Sequence, residues 1–311
     1  MEERRVRSFQ AAISATVVLL AVTACGGSGS KSATASTSTS QPAIAPGFDG
    51  MIDVGGGREL RVVCVGVGSP TVVLEAGGGS GLNQWPSTFV ATLATKTTTC
   101  RYSRADAPGS APLTGLMTRA QVVGDAYAML DALHADHEVN GPYVFVGQSF
   151  GGSVALLEAL EHPDRTAGMV ILDTDFPADF VPACRASGHS AADCQANYVE
   201  DEDAKSLEKE ILATVRPLPN IPISIVSAME LPDCHVESDG APVTAEIGGT
   251  DLKAPNCDAL ASAIADKQKA DWGRLGPQVT ATRIKADHDH LVADASSEIA
   301  DIVLRIVASS R

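Results

Sequence analysis

The stretch Pro142–Leu160, PYVFVGQSFGGSVALLEAL, sets a short apolar run, a Gly-x-Ser-x-Gly and a helix-forming segment directly after one another. A continuous apolar run bounded by turn residues reads as a strand buried on both faces. Gly152 to Glu161 reads as a helix stopped by His162-Pro163. The Gly-x-Ser-x-Gly is common by chance, and a glycine-rich bend could carry an idle serine. The flanks carry the reading: a buried strand that delivers a serine, with a helix opening at once, is the context of a nucleophile elbow. Gly147 and Gly151 supply the missing side chains that let strand and helix meet across a strained turn. The helix start then aims free N–H groups at Ser149.

The chain has 311 residues and a formal net charge of −15. That charge excludes a nucleic-acid partner, which needs a basic face, and electrostatic docking to anionic lipid. A membrane partner must therefore be reached through a covalent or hydrophobic anchor. Arg4, Arg5 and Arg7 precede a short apolar run, Ala11 to Val22, too short to span a bilayer. The pattern predicts a signal peptide over residues 1–24. Val22-Thr23-Ala24-Cys25 resembles the lipobox of bacterial lipoproteins, in which the cysteine sulfur carries a diacylglyceryl group. Residues 25–47, rich in Ser and Thr from Ser28 to Ser40, read as the lipidated cysteine and a tether. The ordered domain is expected over residues 48–311. This implies export to the outer face of a bacterial cell membrane, held by the lipid on Cys25. Six further cysteines, Cys64, Cys100, Cys184, Cys194, Cys234 and Cys257, suit disulfides in an exported protein. No Cys-x-x-Cys is present, so no structural zinc is expected.

Further strands are expected in ELRVVCVGV (59–67), TVVLE (71–75), TTTCRYS (97–103), GMVILD (168–173), ISIVSA (223–228) and VTATRIK (279–285). Helices are expected over 85–95, 118–134 and about 296–307. This alternation indicates an α/β fold with a mostly parallel, doubly wound sheet. Two inserts, at about 176–220 and 231–276, interrupt it past the serine, where lids and substrate pockets form. LEAGGGSG (74–81) follows the TVVLE strand, and its glycines let the Gly78 N–H approach a substrate. It lacks the phosphate-loop patterns, so no nucleotide cofactor is expected.

Taken together, SPTVVLEAGGG…W, TTTCRYSRADAPGSA, GPYVFVGQSFGGSVA, HPDRTAGMVILDTDFP and HLVADASSEIADIV resemble the α/β-hydrolase superfamily. The resemblance covers about 58–175 and 279–307. It implies an eight-stranded sheet, a small helical lid formed by the inserts, and a Ser-His-Asp triad requiring neither metal nor other cofactor. Two departures are Gln148, where many relatives carry His, and Ser103, where relatives usually carry Asp. Ser149 is then the nucleophile, with the N–H groups of Phe150 and Gly78 as oxyanion donors. The base is His288 or His290. Counting back about eight residues from Glu298, which fills the place of a helix-opening Glu in relatives, selects His290. Asp173, Glu230 and Asp233 all fall where relatives carry the acid. Asp173 is preferred, because a carboxylate closing an apolar strand is better fixed than one on an insert. In this superfamily the second and fourth strands are neighbours, which implies a Cys64–Cys100 bridge. Cys184–Cys194 and Cys234–Cys257 would each close a loop within one insert. The implied function is hydrolysis of carboxylic esters or related acyl compounds as small-molecule substrates. The alternatives are an aminopeptidase or amidase on the same triad, and an inactive surface-binding protein.

Lipidation is checked by feeding a bacterial host an alkynyl palmitate: the full chain should be labelled, and Cys25→Ser should lose the label and be shed from the membrane. Label persisting in Cys25→Ser would refute the anchor.

Overall fold

The computed structural model describes residues 46–113, 118–137, 139–176, 213–232, 234–236, 241–247 and 250–310. Cys25, Cys184, Cys194, Asp233 and most of the first insert lie outside the described residues. Strands β1 (Pro46–Gly55) and β2 (Arg58–Val65) form an antiparallel hairpin. They are followed by β3 (Thr71–Glu75), α1 (Ser87–Ala94), β4 (Thr99–Ser103), α2 (Arg119–His137), β5 (Tyr143–Gln148), α3 (Phe150–Glu161) and β6 (Thr166–Leu172). Then come β7 (Ile223–Ala228), a small hairpin β8 (Val243–Ile247) and β9 (Thr250–Ala254), and α4 (Cys257–Trp272). Strand β10 (Val279–Ile284) and helices α5 (Leu291–Asp294) and α6 (Ser296–Ser309) complete the described residues.

Eight strands form one sheet in the order β1-β2-β4-β3-β5-β6-β7-β10. The pairs β1/β2 and β2/β4 are antiparallel; the other neighbours are parallel. This is the α/β-hydrolase fold. Every residue of β3, β5 and β7 is buried, as a strand covered on both faces must be. Alternate side chains serve opposite faces. Val73, Phe145, Ile171 and Ile225 pack with Met129 and Leu130 of α2 and Val154 and Leu157 of α3. Val72, Val144, Val146, Val170 and Val226 pack with Phe89 and Leu93 of α1 and Ile299 and Val303 of α6. Each such side chain contributes roughly 1.5–3 kcal/mol on burial, so the sheet centre dominates the stability.

Helix α4 falls within the second insert of the sequence reading, yet it is the crossover between the parallel strands β7 and β10. Parallel neighbours cannot be joined by a tight turn and need such a helix. Its Trp272 is fully buried in the main core beside Phe176, and the Asn256 side chain caps its start by accepting the Ala259 N–H at 2.9 Å. What remains of that insert is the loop after β7 and the β8/β9 hairpin, which have a small apolar core of their own with Leu260 and Ile264 of α4. Cys64 and Cys100 are directly opposed on β2 and β4 and bridged, with Cα atoms 4.0 Å apart. Cys234 is bridged to Cys257 at the start of α4, with Cα atoms 5.8 Å apart.

The core carries an unusual polar group. Glu75 and Glu158 are both fully buried. Glu75 Oε2 accepts a hydrogen bond from the Tyr102 hydroxyl at 2.9 Å and lies 3.4 Å from the Arg104 guanidinium. Among the described residues, neither carboxyl oxygen of Glu158 has a hydrogen-bond partner. Burial raises the Glu75 carboxyl to about 7 and pushes Glu158 well above the ordinary range, where the neighbouring Glu75 adds to the effect. A raised carboxyl pKa means the folded state keeps a proton that the unfolded state gives up near pH 4.5. Glu158 therefore destabilises the fold increasingly as pH rises above that value. Glu158→Met should raise Tm, and the gain should be larger at pH 8 than at pH 5, as scanning calorimetry would measure; an equal or smaller gain at pH 8 would contradict this account.

Candidate active site

Three strands end together at the carboxyl edge of the sheet, where open α/β sheets bind ligands. Between β5 and α3 stands Ser149, with φ 52° and ψ −128°. Only three non-glycine residues among those described have positive φ, and two of them are Ser149 and Asp173. Such strain costs of the order of 1–3 kcal/mol at each residue and persists because the surroundings leave the chain no alternative. A Cβ on Gly147 would lie 2.2 Å from the Gly151 carbonyl oxygen, and one on Gly151 would lie 2.1 Å from that of Glu75. A Cβ on Gly152 would meet the Thr174 hydroxyl at 2.3 Å. The bare glycines thus let α3 start in contact with the ends of β3, β5 and β6. The Ser149 N–H donates to the Leu172 carbonyl at 3.1 Å, and the Thr174 hydroxyl donates to the Ser149 carbonyl at 2.9 Å, fixing the corner.

The loop after β3 reaches the same corner. A Cβ on Gly78 would be 3.7 Å from that of Phe150, so the two expected oxyanion donors belong to adjacent residues. The Gly77 carbonyl accepts from Arg104 Nη2 at 2.7 Å and from the Ser80 N–H at 3.3 Å. A peptide plane aims its C=O and the next N–H in opposite directions, so Arg104, by holding the Gly77 carbonyl inward, turns the Gly78 N–H outward. The Arg104 guanidinium also stands 5.1 Å from the Phe150 ring centroid. Ser103, the second departure, holds the loop from below: its hydroxyl accepts the Leu82 N–H at 3.0 Å and donates to the Pro108 carbonyl at 2.7 Å.

Asp173 follows β6 at φ 43°. Its Oδ1 accepts the Ala228 N–H at 3.1 Å and Gln268 Nε2 of α4 at 3.3 Å. Its Oδ2 is 2.8 Å from Nδ1 of His288. That hydrogen bond raises the His288 imidazole above its ordinary pKa, against a smaller opposing effect of burial. Gln268 Nε2 also reaches Asp175 at 3.1 Å, a carboxyl raised by burial. Glu230, by contrast, is half exposed, 3.9 Å from Lys285.

The structure brings His288, rather than the expected His290, to Asp173. His290 does not meet Asp173; its Nδ1 lies 2.9 Å from both Asp287 carboxylate oxygens, three residues back, and its side chain is 65% exposed. The reason lies in the segment between the loop and the last helix. Counting back from Glu298 crosses the short helix α5 (Leu291–Asp294), and a count along the chain does not say which side chain turns toward Asp173. His290 caps that turn, its backbone N–H bound to Asp287 at 2.9 Å, and so points along the surface. His288 precedes the turn and faces inward. Sequence reading also missed Gln268, whose helix carries no motif.

Residues 70–200 match the family model for the alpha/beta hydrolase fold. A comparison with curated proteins finds no match. Among solved structures, the chain is similar to alpha/beta hydrolase domain-containing protein 10 from mouse, with TM-score 0.57 at 13% identity over 85% of this chain and 100% of that one. It is also similar to an epoxide hydrolase from Vigna radiata, with TM-score 0.57 at 12% identity over 86% and 98% of the two chains. A thermophilic esterase from Thermogutta terrifontis aligns with TM-score 0.52 at 15% identity, covering 85% and 99%. These likenesses, together with the sheet order, define the class: a chain of α/β-hydrolase fold.

Gly151→Ala tests the close approach directly. The new methyl group meets backbone atoms that cannot swing aside, so the variant should lose roughly 3 kcal/mol or more by urea denaturation, or fail to fold. A loss below about 1 kcal/mol, the ordinary scale of a single substitution, would mean that the corner yields easily.

Proposed function

We propose that this chain is an exported, lipid-anchored serine hydrolase that cleaves carboxylic esters through an acyl-enzyme. The observation that carries the reading is the 2.8 Å pair between His288 and Asp173, with the His288 backbone bonded by Gln148, the residue before a strained serine at the end of β5. Asp173 accepts the proton-bearing Nδ1, which leaves Nε2 as the base. Ser149 Oγ attacks the ester carbonyl carbon while His288 Nε2 takes its proton. The oxyanion forms facing the N–H groups of Phe150 and Gly78, donors whose loss typically costs about 2.7–4 kcal/mol each. Collapse expels the alcohol, which receives the proton from His288. Water, deprotonated by the same imidazole, then attacks the acyl-enzyme; the bond to Ser149 Oγ breaks, Oγ regains the proton from His288, and the acid leaves. Beyond the substrate and water, every step uses protein groups. The esterase among the solved structures of this fold supports an acyl substrate, and the apolar run and Cys25 at the start of the chain support export and anchoring.

A fluorophosphonate probe, which reacts with an activated serine, tests the assignment. Wild type should be labelled; Ser149→Ala and His288→Ala should not be, while His290→Ala should keep its rate within about threefold. Loss of label in His290→Ala with His288→Ala still reactive would reverse the assignment. Only the neutral imidazole accepts a proton, and Asp173 favours the cation. The acidic limb of kcat/KM for a short-chain ester should therefore lie above the ordinary imidazole range. Asp173→Asn should move that limb to lower pH and cut kcat by about 10³–10⁴; an unmoved limb would remove Asp173 from the machinery.

A further inference from the structure

Three of the groups just named stand on separate loops, after β3, after β5 and after β10, and catalysis needs them aligned within about half an ångström. We infer that Gln148 and Gln84 are positioning residues, whose side-chain amides form one continuous chain of hydrogen bonds locking the oxyanion loop to the histidine loop. The Gly77 N–H donates to Gln84 Oε1 at 2.7 Å. Gln84 Nε2 donates to Gln148 Oε1 at 2.6 Å. Gln148 Nε2 donates to the His288 backbone carbonyl at 2.6 Å. The chain begins at a group that can only donate and ends at one that can only accept, so both amide orientations are dictated by its ends. Each link polarises the next.

The consequences for the site are specific. Gly77 has its N–H committed to Gln84 and its carbonyl committed to Arg104. The peptide on either side is therefore held, and Gly78 follows. At the other end, the bond to the His288 carbonyl fixes the backbone from which the imidazole projects toward Asp173. Strands β3 and β10 are separated in the sheet by β5, β6 and β7, so no ladder hydrogen bond connects their loops directly. Gln148, 4% exposed and next to Ser149, spans the gap. A buried amide in this place costs desolvation unless both its ends are bonded. That requirement makes the chain all-or-none: removing either glutamine leaves the other with an unpaired end.

This inference rests on the serine-hydrolase reading for its kinetic consequence but not for its structural one, and the test separates them. Gln84→Met and Gln148→Met keep side-chain length and remove the amide. With the fluorophosphonate probe, each should lower the limiting rate of Ser149 modification by about tenfold, leave the half-saturating concentration within about twofold, and combine non-additively, because either change breaks the same chain. Hydrogen exchange read by mass spectrometry should rise over residues 286–290 in both variants, including Gln84→Met, whose side chain lies two links away. If the methionine variants do not fold, Gln148→Glu keeps the acceptor for Gln84 but lacks the donor to His288 when ionised, and should show the same slowing at pH 8. Additive rate losses, or unchanged exchange at 286–290 in Gln84→Met, would overturn the inference. An unlabelled wild type would overturn the hydrolase reading instead, and the exchange measurement would still decide whether the amides couple the loops.

Discussion

The contact between the first turn of α3 and the end of β3 is the constraint from which the rest of the site follows. Backbone meets backbone there, with Gly151 against the carbonyls of Glu75 and Ala76 and Gly147 against Gly151. No side chain fits between them. The approach drives Ser149 to positive φ and sets the opening N–H groups of α3 beside the glycine loop. A helix seated one side chain farther out would relax the serine and separate Phe150 from Gly78.

Beneath that contact the protein accepts a costly arrangement. Two buried carboxyls, Glu75 and Glu158, share the field of one guanidinium, and the oxygens of Glu158 have no hydrogen-bond partner among the described residues. Buried ion pairs seldom stabilise a fold relative to apolar packing. Here the cation has a second task, because Arg104 also grips the Gly77 carbonyl. Stability lost in the core is thus linked to the orientation of one peptide group at the surface. The same theme recurs on the far side: Asp173 is strained and held by Ala228 and Gln268, so that its second oxygen is left for His288. Gly77 and Asp173 are each held in place by other polar groups.

Much of this was legible in the chain itself. Strand β3 coincides with the TVVLE run, and β5, α3, β7 and α6 lie within a residue or two of their expected limits, because strands buried on both faces announce themselves as unbroken apolar runs. The corner at Ser149 was legible because glycines are required on both sides of it. Helix α4 was not, since it is amphipathic and sits in a segment read as an insert; its place is set by the crossover between β7 and β10, a topological need with no local signature. Which of His288 and His290 meets Asp173 was not legible for a related reason. A count along the chain does not say which side chain turns toward a carboxylate 115 positions away.

The amino-acid order by itself determined the layering of the fold and the identity of the residue at the strained corner, since periodicity and glycine spacing act over a few positions and survive in one dimension. Which imidazole turns inward toward Asp173, which glutamine reaches across to the histidine loop, and which helix buttresses the carboxylate were decided only in three dimensions. Those contacts join residues such as Asp173 and His288, separated by 115 positions, and their geometry depends on how several loops close over one sheet edge.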